Sequence, residues 1–191
     1  MLRVGILIAA LMAASASAEP ITLKGLGPGL TKEQMDAVHP GLAKHCHIIS
    51  QKQACFYGGA PARESGLPNI EALNTFAGVP IKMWDFDMRD GHLSSIFIIL
   101  PTSRFDAVVS AMKERLGPPT KSEVSTVQNR MGATFDQTEV VWALSHEGSI
   151  LAVTKRGYKV DEMRVHLTSK ASLDEFDNIR KQEQKAGAKD M

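Results

Sequence analysis

Apolar residues recur at Phe105, Val108, Val109, Met112 and Leu116, the spacing that lays one stripe along a helix. Gly117 and Pro118-Pro119 follow directly, so the helix must stop there. Ser103-Arg104-Phe105-Asp106 sets a hydroxyl three residues before an acid and predicts the start. An earlier start is written more fully. Thr31-Lys32-Glu33-Gln34 has the residues of a capping box, and Leu30 and Met35 flank it where a hydrophobic staple would close.

After each helix the period drops from 3.6 to 2. Ile81 to Met88 and Leu93 to Leu100 flank Asp90-Gly91, a strong hairpin signal. Val140 to Ser145 and Ser149 to Lys155 flank Glu147-Gly148, a weaker one. Trp84 and Trp142 sit near the middle of the first strand of these hairpins, and both read as core anchors of equivalent repeats. Shorter strands are expected at His45–Ile49, Ala54–Tyr57 and Ser122–Gln128, and a last one where Met163, Val165 and Leu167 alternate with Arg164, His166 and Thr168. The order helix-then-strands occurs twice. It predicts an α+β fold, a tandem pair of helix plus antiparallel β-sheet repeats over residues 19–100 and 101–170. Tyr57 to Asn69 reads as a loop of the first repeat, and residues 171–191 as a short helix carrying Leu173, Phe176 and Ile179 on one face, then a frayed tail.

Register adds a functional expectation. With Asp90-Gly91 as a two-residue turn, Trp84 faces Phe97, Phe86 faces Ser95 and Met88 faces Leu93, which makes the core face. Met83, Ile96 and Ile98 then fall on the opposite face, with Ile81 and Leu100. A face open to water should be mostly polar, so this apolar half predicts a contact surface for another protein or a second copy.

Export changes the picture of where this happens. Arg3, the apolar run of eleven residues from Val4 to Ala14 and the small residues Ala16-Ser17-Ala18 have the three parts of a cleaved secretory signal over residues 1–18. The run is too short to cross a bilayer, and the expected location is the periplasm or the exterior, with no stable membrane insertion. There the only cysteines, Cys46 and Cys55, should pair across a short hairpin turning at Ser50-Gln51. Without Arg3 the remaining 21 Lys+Arg balance 21 Asp+Glu, which offers no bulk attraction for nucleic acid.

Reaction chemistry is sparse. Gly25-Leu26-Gly27-Pro28-Gly29 lacks the Lys-Ser/Thr of a phosphate loop, and Asp85 and Asp87 share a strand face as two acids on the solvent side often do. His45 and His47 would project from one face of an extended strand, and with His39 or His92 they form the candidate metal site.

Gly29-Leu30-Thr31-Lys32-Glu33-Gln34-Met35 resembles the helix start of the small outer-membrane assembly lipoproteins of the SmpA/OmlA type. Thr75 to Pro80, the Asp90-Gly91-His92-Leu93 turn and Phe105 to Pro119 resemble small exported proteobacterial proteins. The tandem arrangement is similar to that of the secreted β-lactamase inhibitor proteins, which present a sheet to an enzyme. The resemblance implies an architecture and a protein-binding style. The function expected is an exported, non-catalytic protein-binding module without a cofactor, whose partner is another envelope or secreted protein. The alternative is a periplasmic metal or small-ligand carrier built on the His45/His47 strand.

Overall fold

The computed structural model describes residues 21–49, 52–58, 67–129, 131–144, 148–157, 159–175 and 178. The expected signal peptide, the Ser50-Gln51 turn and most of the Tyr57–Asn69 loop lie outside these, as do Phe176 and Ile179.

Helix α1 (Lys32–Val38) starts as its residues predict: Thr31 Oγ1 accepts from the Gln34 N–H, and the Gln34 side chain accepts from the Thr31 N–H. Met35 is fully buried beneath it. A 3-10 turn (Leu42–His45) leads into β1 (Cys46–Ile49) and β2 (Lys52–Gly58), and Cys46 and Cys55, directly opposite, are disulfide-bonded. A second 3-10 turn (Glu71–Leu73) and the small ribbon β3 (Thr75–Phe76) and β4 (Val79–Pro80) precede the hairpin β5 (Met83–Arg89) and β6 (His92–Pro101). Asp90 and Gly91 both have positive φ, 48° and 78°, the two-residue turn that suits a twisted hairpin.

Helix α2 (Phe105–Leu116) follows β6 through a 3-10 turn (Thr102–Arg104). Ser103 lies inside that turn, and the residue before the helix, Arg104, makes no side-chain cap, so the expected capping box does not form. Gly117 ends the helix at φ 80°, its N–H donating to Lys113 O. Four strands complete the chain: β7 (Lys121–Gln128), β8 (Thr134–Leu144), β9 (Ser149–Thr154) and β10 (Glu162–Ser169). Residues 170–175 are helical, with Ser169 Oγ accepting from the Ser172 N–H at the start.

The fold is α+β. Eight strands form one antiparallel sheet in the order β1-β2-β5-β6-β10-β9-β8-β7. Each half is a helix followed by a four-strand meander, and the halves meet where β6 pairs with β10. Both helices pack on one face. Met35 of α1 and Phe105, Val108, Val109 and Met112 of α2 share a single apolar cluster with Trp84, Phe86, Trp142, Leu151 and Val165.

The expected register of β5 and β6 holds only beside the turn. Met88 faces Leu93, but Trp84 faces Ile98 and Phe86 faces Ile96, because the ladder shifts by one residue between Asp87 and Met88. Ser94 is the extra residue of this β-bulge, and its hydroxyl donates to Asp87 O at 2.9 Å. A one-residue slip exchanges the two faces of a strand. Ile96 and Ile98 are therefore fully buried in the core beside Trp84, not on a contact surface, while Phe97 and Ile99 point the other way with Met83.

Trp84 and Trp142 are both buried, and their indole N–H groups donate to Leu73 O at 2.8 Å and Gly117 O at 3.0 Å. They are not equivalent, since Trp84 lies on the third strand of its meander and Trp142 on the second. Trp84 stacks on Phe86 and meets Phe76 edge-on, whereas Trp142 has no such ring contact among the described residues. Replacing either Trp by Ala should cost about 3–5 kcal/mol in urea melts, from lost burial and the cavity left behind. Ile98→Asp, which buries a carboxylate in the core, should abolish the cooperative transition, and a melt like that of the parent chain would contradict the bulged register.

Candidate functional site

The sheet face turned away from the helices carries the most unusual chemistry of the described residues. Pairing aligns Phe56, Asp85, Phe97, His166, Ala152, Val141 and Lys121 in one row across seven strands. The neighbouring row holds Met83, Ile99, Arg164, Thr154 and Glu139, and the row on the other side Asp87, Ser95, Thr168, Ile150 and Ala143. Bulk is uneven along these rows. Over β5, β6 and β10 most of the side chains are large or charged, Ser95 and Thr168 being the exceptions. Over β8 and β9 they are mostly small or β-branched.

Phe97 is the centre. Its ring stacks on the His166 imidazole with centroids 4.1 Å apart and planes 13° from parallel, and the Arg164 guanidinium lies 5.6 Å from its centroid. The bulge that reverses β6 puts Phe97 here, and the alternation of β10 between Val165/Leu167 in the core and Arg164/His166 outside supplies its partners. In the adjacent row Ser95 and Thr168 are buried and joined through their hydroxyls at 2.9 Å, which satisfies polar groups beside the bulge. Phe97 itself remains only half-buried, as do Met83, Asp85 and His166.

Partial burial also sets the charges. It pushes the Asp85 carboxyl up to about 6, with the nearby Asp87 charge adding to the effect. Burial pushes His166 down to about 4, and the Arg164 charge acts in the same direction. At neutral pH the row therefore presents a carboxylate, a phenyl ring and a neutral imidazole side by side. His166 Nε2 is buried without a hydrogen-bond partner. An aromatic anchor flanked by groups of both charge signs can seat a protein side chain, and it contains no nucleophile paired with a base.

Of the residues expected to form the contact surface, only Met83 is on this face. Ile96 and Ile98 are core. The four candidate metal ligands are dispersed. His39 is buried against Lys24 O, His45 against Pro68 O, His47 is exposed, and His92 contacts Asp90 O near the hairpin turn. His45 belongs to the 3-10 turn and not to the strand, so it does not share a face with His47. Among the described residues no three His, Cys, Asp or Glu side chains are close enough to hold a metal. Sequence reasoning missed Phe97, Arg164 and His166 as site residues. The signal available was Ser94-Ser95, two small polar residues interrupting an apolar strand where a bulge fits.

In comparisons with known proteins, no family model, no curated protein and no solved structure matches the chain.

The two displaced titrations predict opposing pH effects. Asp85 binds its proton more tightly folded than at its ordinary 3.8, so it adds stability as pH falls from about 6 towards 4. His166 resists protonation in the fold relative to its ordinary 6.5, so it removes stability as pH falls towards about 4. Urea midpoints across that window should fall more steeply with acid in Asp85→Asn than in the parent, and should rise with acid in His166→Gln. Parallel profiles for all three proteins would contradict the burial of this row.

Proposed function

We propose that the protein is an exported, non-catalytic binding module of the bacterial periplasm or envelope, and that it holds another envelope or secreted protein on the sheet face centred on Phe97. The observation that carries this reading is the half-buried Phe97–His166 stack, fixed by the bulge on a face that neither α1 nor α2 covers. Rigid aromatic side chains flanked by arginine are the residue types that concentrate binding energy at protein interfaces. The disulfide between Cys46 and Cys55 agrees with an oxidising compartment, and among the described residues no helix is long and apolar enough to cross a membrane. The resemblance to the β-lactamase inhibitor proteins points the same way, since those present a sheet to their target.

A photo-crosslinking residue placed at Phe97 or Met83 in living cells tests it. Both positions should give the same single protein adduct, and Val38 on α1, 41% exposed, should not. Phe97→Asp should weaken binding of the identified partner by about 2 kcal/mol or more, roughly thirty-fold. Adducts formed equally from Val38, or an unchanged affinity after Phe97→Asp, would contradict the assignment of the face.

A further inference from the structure

The two edges of the large sheet are protected unequally. β1 offers four residues and is tied to β2 by the Cys46–Cys55 bond. β7, at the other edge, runs for eight residues without a proline, a glycine or a bulge, and among the described residues it pairs with β8 alone. All of β7 is exposed except the half-buried Val127, so neither of its faces lies under a helix. An edge strand of this kind presents a row of backbone N–H and C=O groups that can template another strand.

The inner side of the same ribbon shows the contrast. β9 pairs with β8 only from Glu139 to Leu144. Beyond that, Arg156 takes the place of a strand. Its Nε donates to Asp136 O at 2.9 Å, its backbone N–H to Gln137 Oε1 at 2.8 Å, and its guanidinium lies 5.0 Å from the Phe135 ring centroid. Among the described residues nothing comparable covers the outer side of β7. Charge, the usual deterrent on an open edge, is cancelled there. Lys121 and Glu123 pair with each other at 2.9 Å, and Val124 to Gln128 carry no charge. Two of the three large apolar side chains exposed among the described residues also belong to this ribbon: Val124 at mid-strand, 76% exposed, and Met131 in the turn after it.

A second β7 satisfies this edge. A two-fold axis normal to the sheet sets two such strands antiparallel and turns the helices of both copies to the same side. Opposite residues must then share a face, so the ladder is centred on one residue and not between two. Centred on Val124 it runs from Lys121 to Val127. Val124 then faces Val124 of the other copy, Ser122 faces Thr126, Glu123 faces Ser125 and Lys121 faces Val127. No like charges meet, the exposed valine is covered at the axis, and Ser122 and Thr126 form hydroxyl pairs on either side of it.

We propose that β7 is a dimerisation edge, on which a second copy of the chain adds its own β7 antiparallel about Val124 and joins the two eight-stranded sheets into one. The Phe97 faces of the two copies then point the same way, and the pairing does not depend on what that face binds.

Sedimentation velocity of the intact oxidised protein between about 1 μM and 1 mM tests this. The parent should pass from monomer to dimer across that range. Val124→Lys, a change at an exposed position that sets two ammonium groups opposite each other at the axis, should weaken association at least about tenfold. Phe97→Asp should leave association unchanged. Register is read from cysteine pairs. Val124→Cys should form an intermolecular disulfide with itself on mild oxidation. Ser122→Cys, whose two copies lie roughly 14 Å apart along the ladder, should link to Thr126→Cys and not to itself. A monomer at every concentration, a dimer lost in Phe97→Asp but kept in Val124→Lys, or Ser122→Cys linking to itself as readily as Val124→Cys would overturn the proposal.

Discussion

Between Asp87 and Met88 the β5–β6 ladder slips by one residue, and Ser94 is the residue taken up by the slip. Everything on the sheet past that point depends on it. Leu93 before the bulge and Ile96, Ile98 and Leu100 after it all reach the core, although strict alternation would send the last three to the other face. The bulge is held by the Ser94 hydroxyl on Asp87 O, and its neighbour Ser95 is tied to Thr168 across β10. Two small hydroxylated residues suit the place because each can satisfy itself locally while the ladder is interrupted.

Because β6 lies at the middle of the sheet and pairs with β10, the same slip sets the relation between the two meanders. Core packing is continuous across this seam: Trp84 and Phe86 from the first half and Trp142, Leu151 and Val153 from the second belong to one cluster under both helices. The face left over is where the unusual electrostatics gather. Asp85, Phe97 and His166 come from three different strands and meet only because the register after the bulge aligns them. Fold and candidate site thus follow from one backbone event.

Much of the architecture was legible from residue order. The capping box at Thr31, the Asp90-Gly91 turn, the Gly117 stop and the pairing of Cys46 with Cys55 each rest on contacts within a few residues, where sequence spacing and geometry are nearly the same thing. The α+β class followed from the switch of period after each helix. What failed was longer-ranged. Ile96 and Ile98 were assigned to the wrong face because counting from a turn assumes an unbroken ladder, and a single inserted residue defeats it. Matching Trp84 with Trp142 assumed that each hairpin was the same unit, but two strands precede β5 in its meander and only one precedes β8, which offsets them by one. His45 and His47 separated because the 3-10 turn runs through His45, a boundary that no alternation marks. Phe97 and His166 as a pair required the β6–β10 register, which no local pattern encodes.

The most direct test of the account is which face of β6 each residue after the bulge occupies. With the Cys46–Cys55 bond intact, single Phe97→Cys and Ile98→Cys variants are exposed to a thiol reagent under native conditions and again in denaturant. The account predicts rapid native labelling at position 97 and protection at position 98 that is lost only on unfolding. Native labelling of position 98 as fast as that of position 97, or protection of 97 with labelling of 98, would contradict the bulge, and with it the binding face built on Phe97.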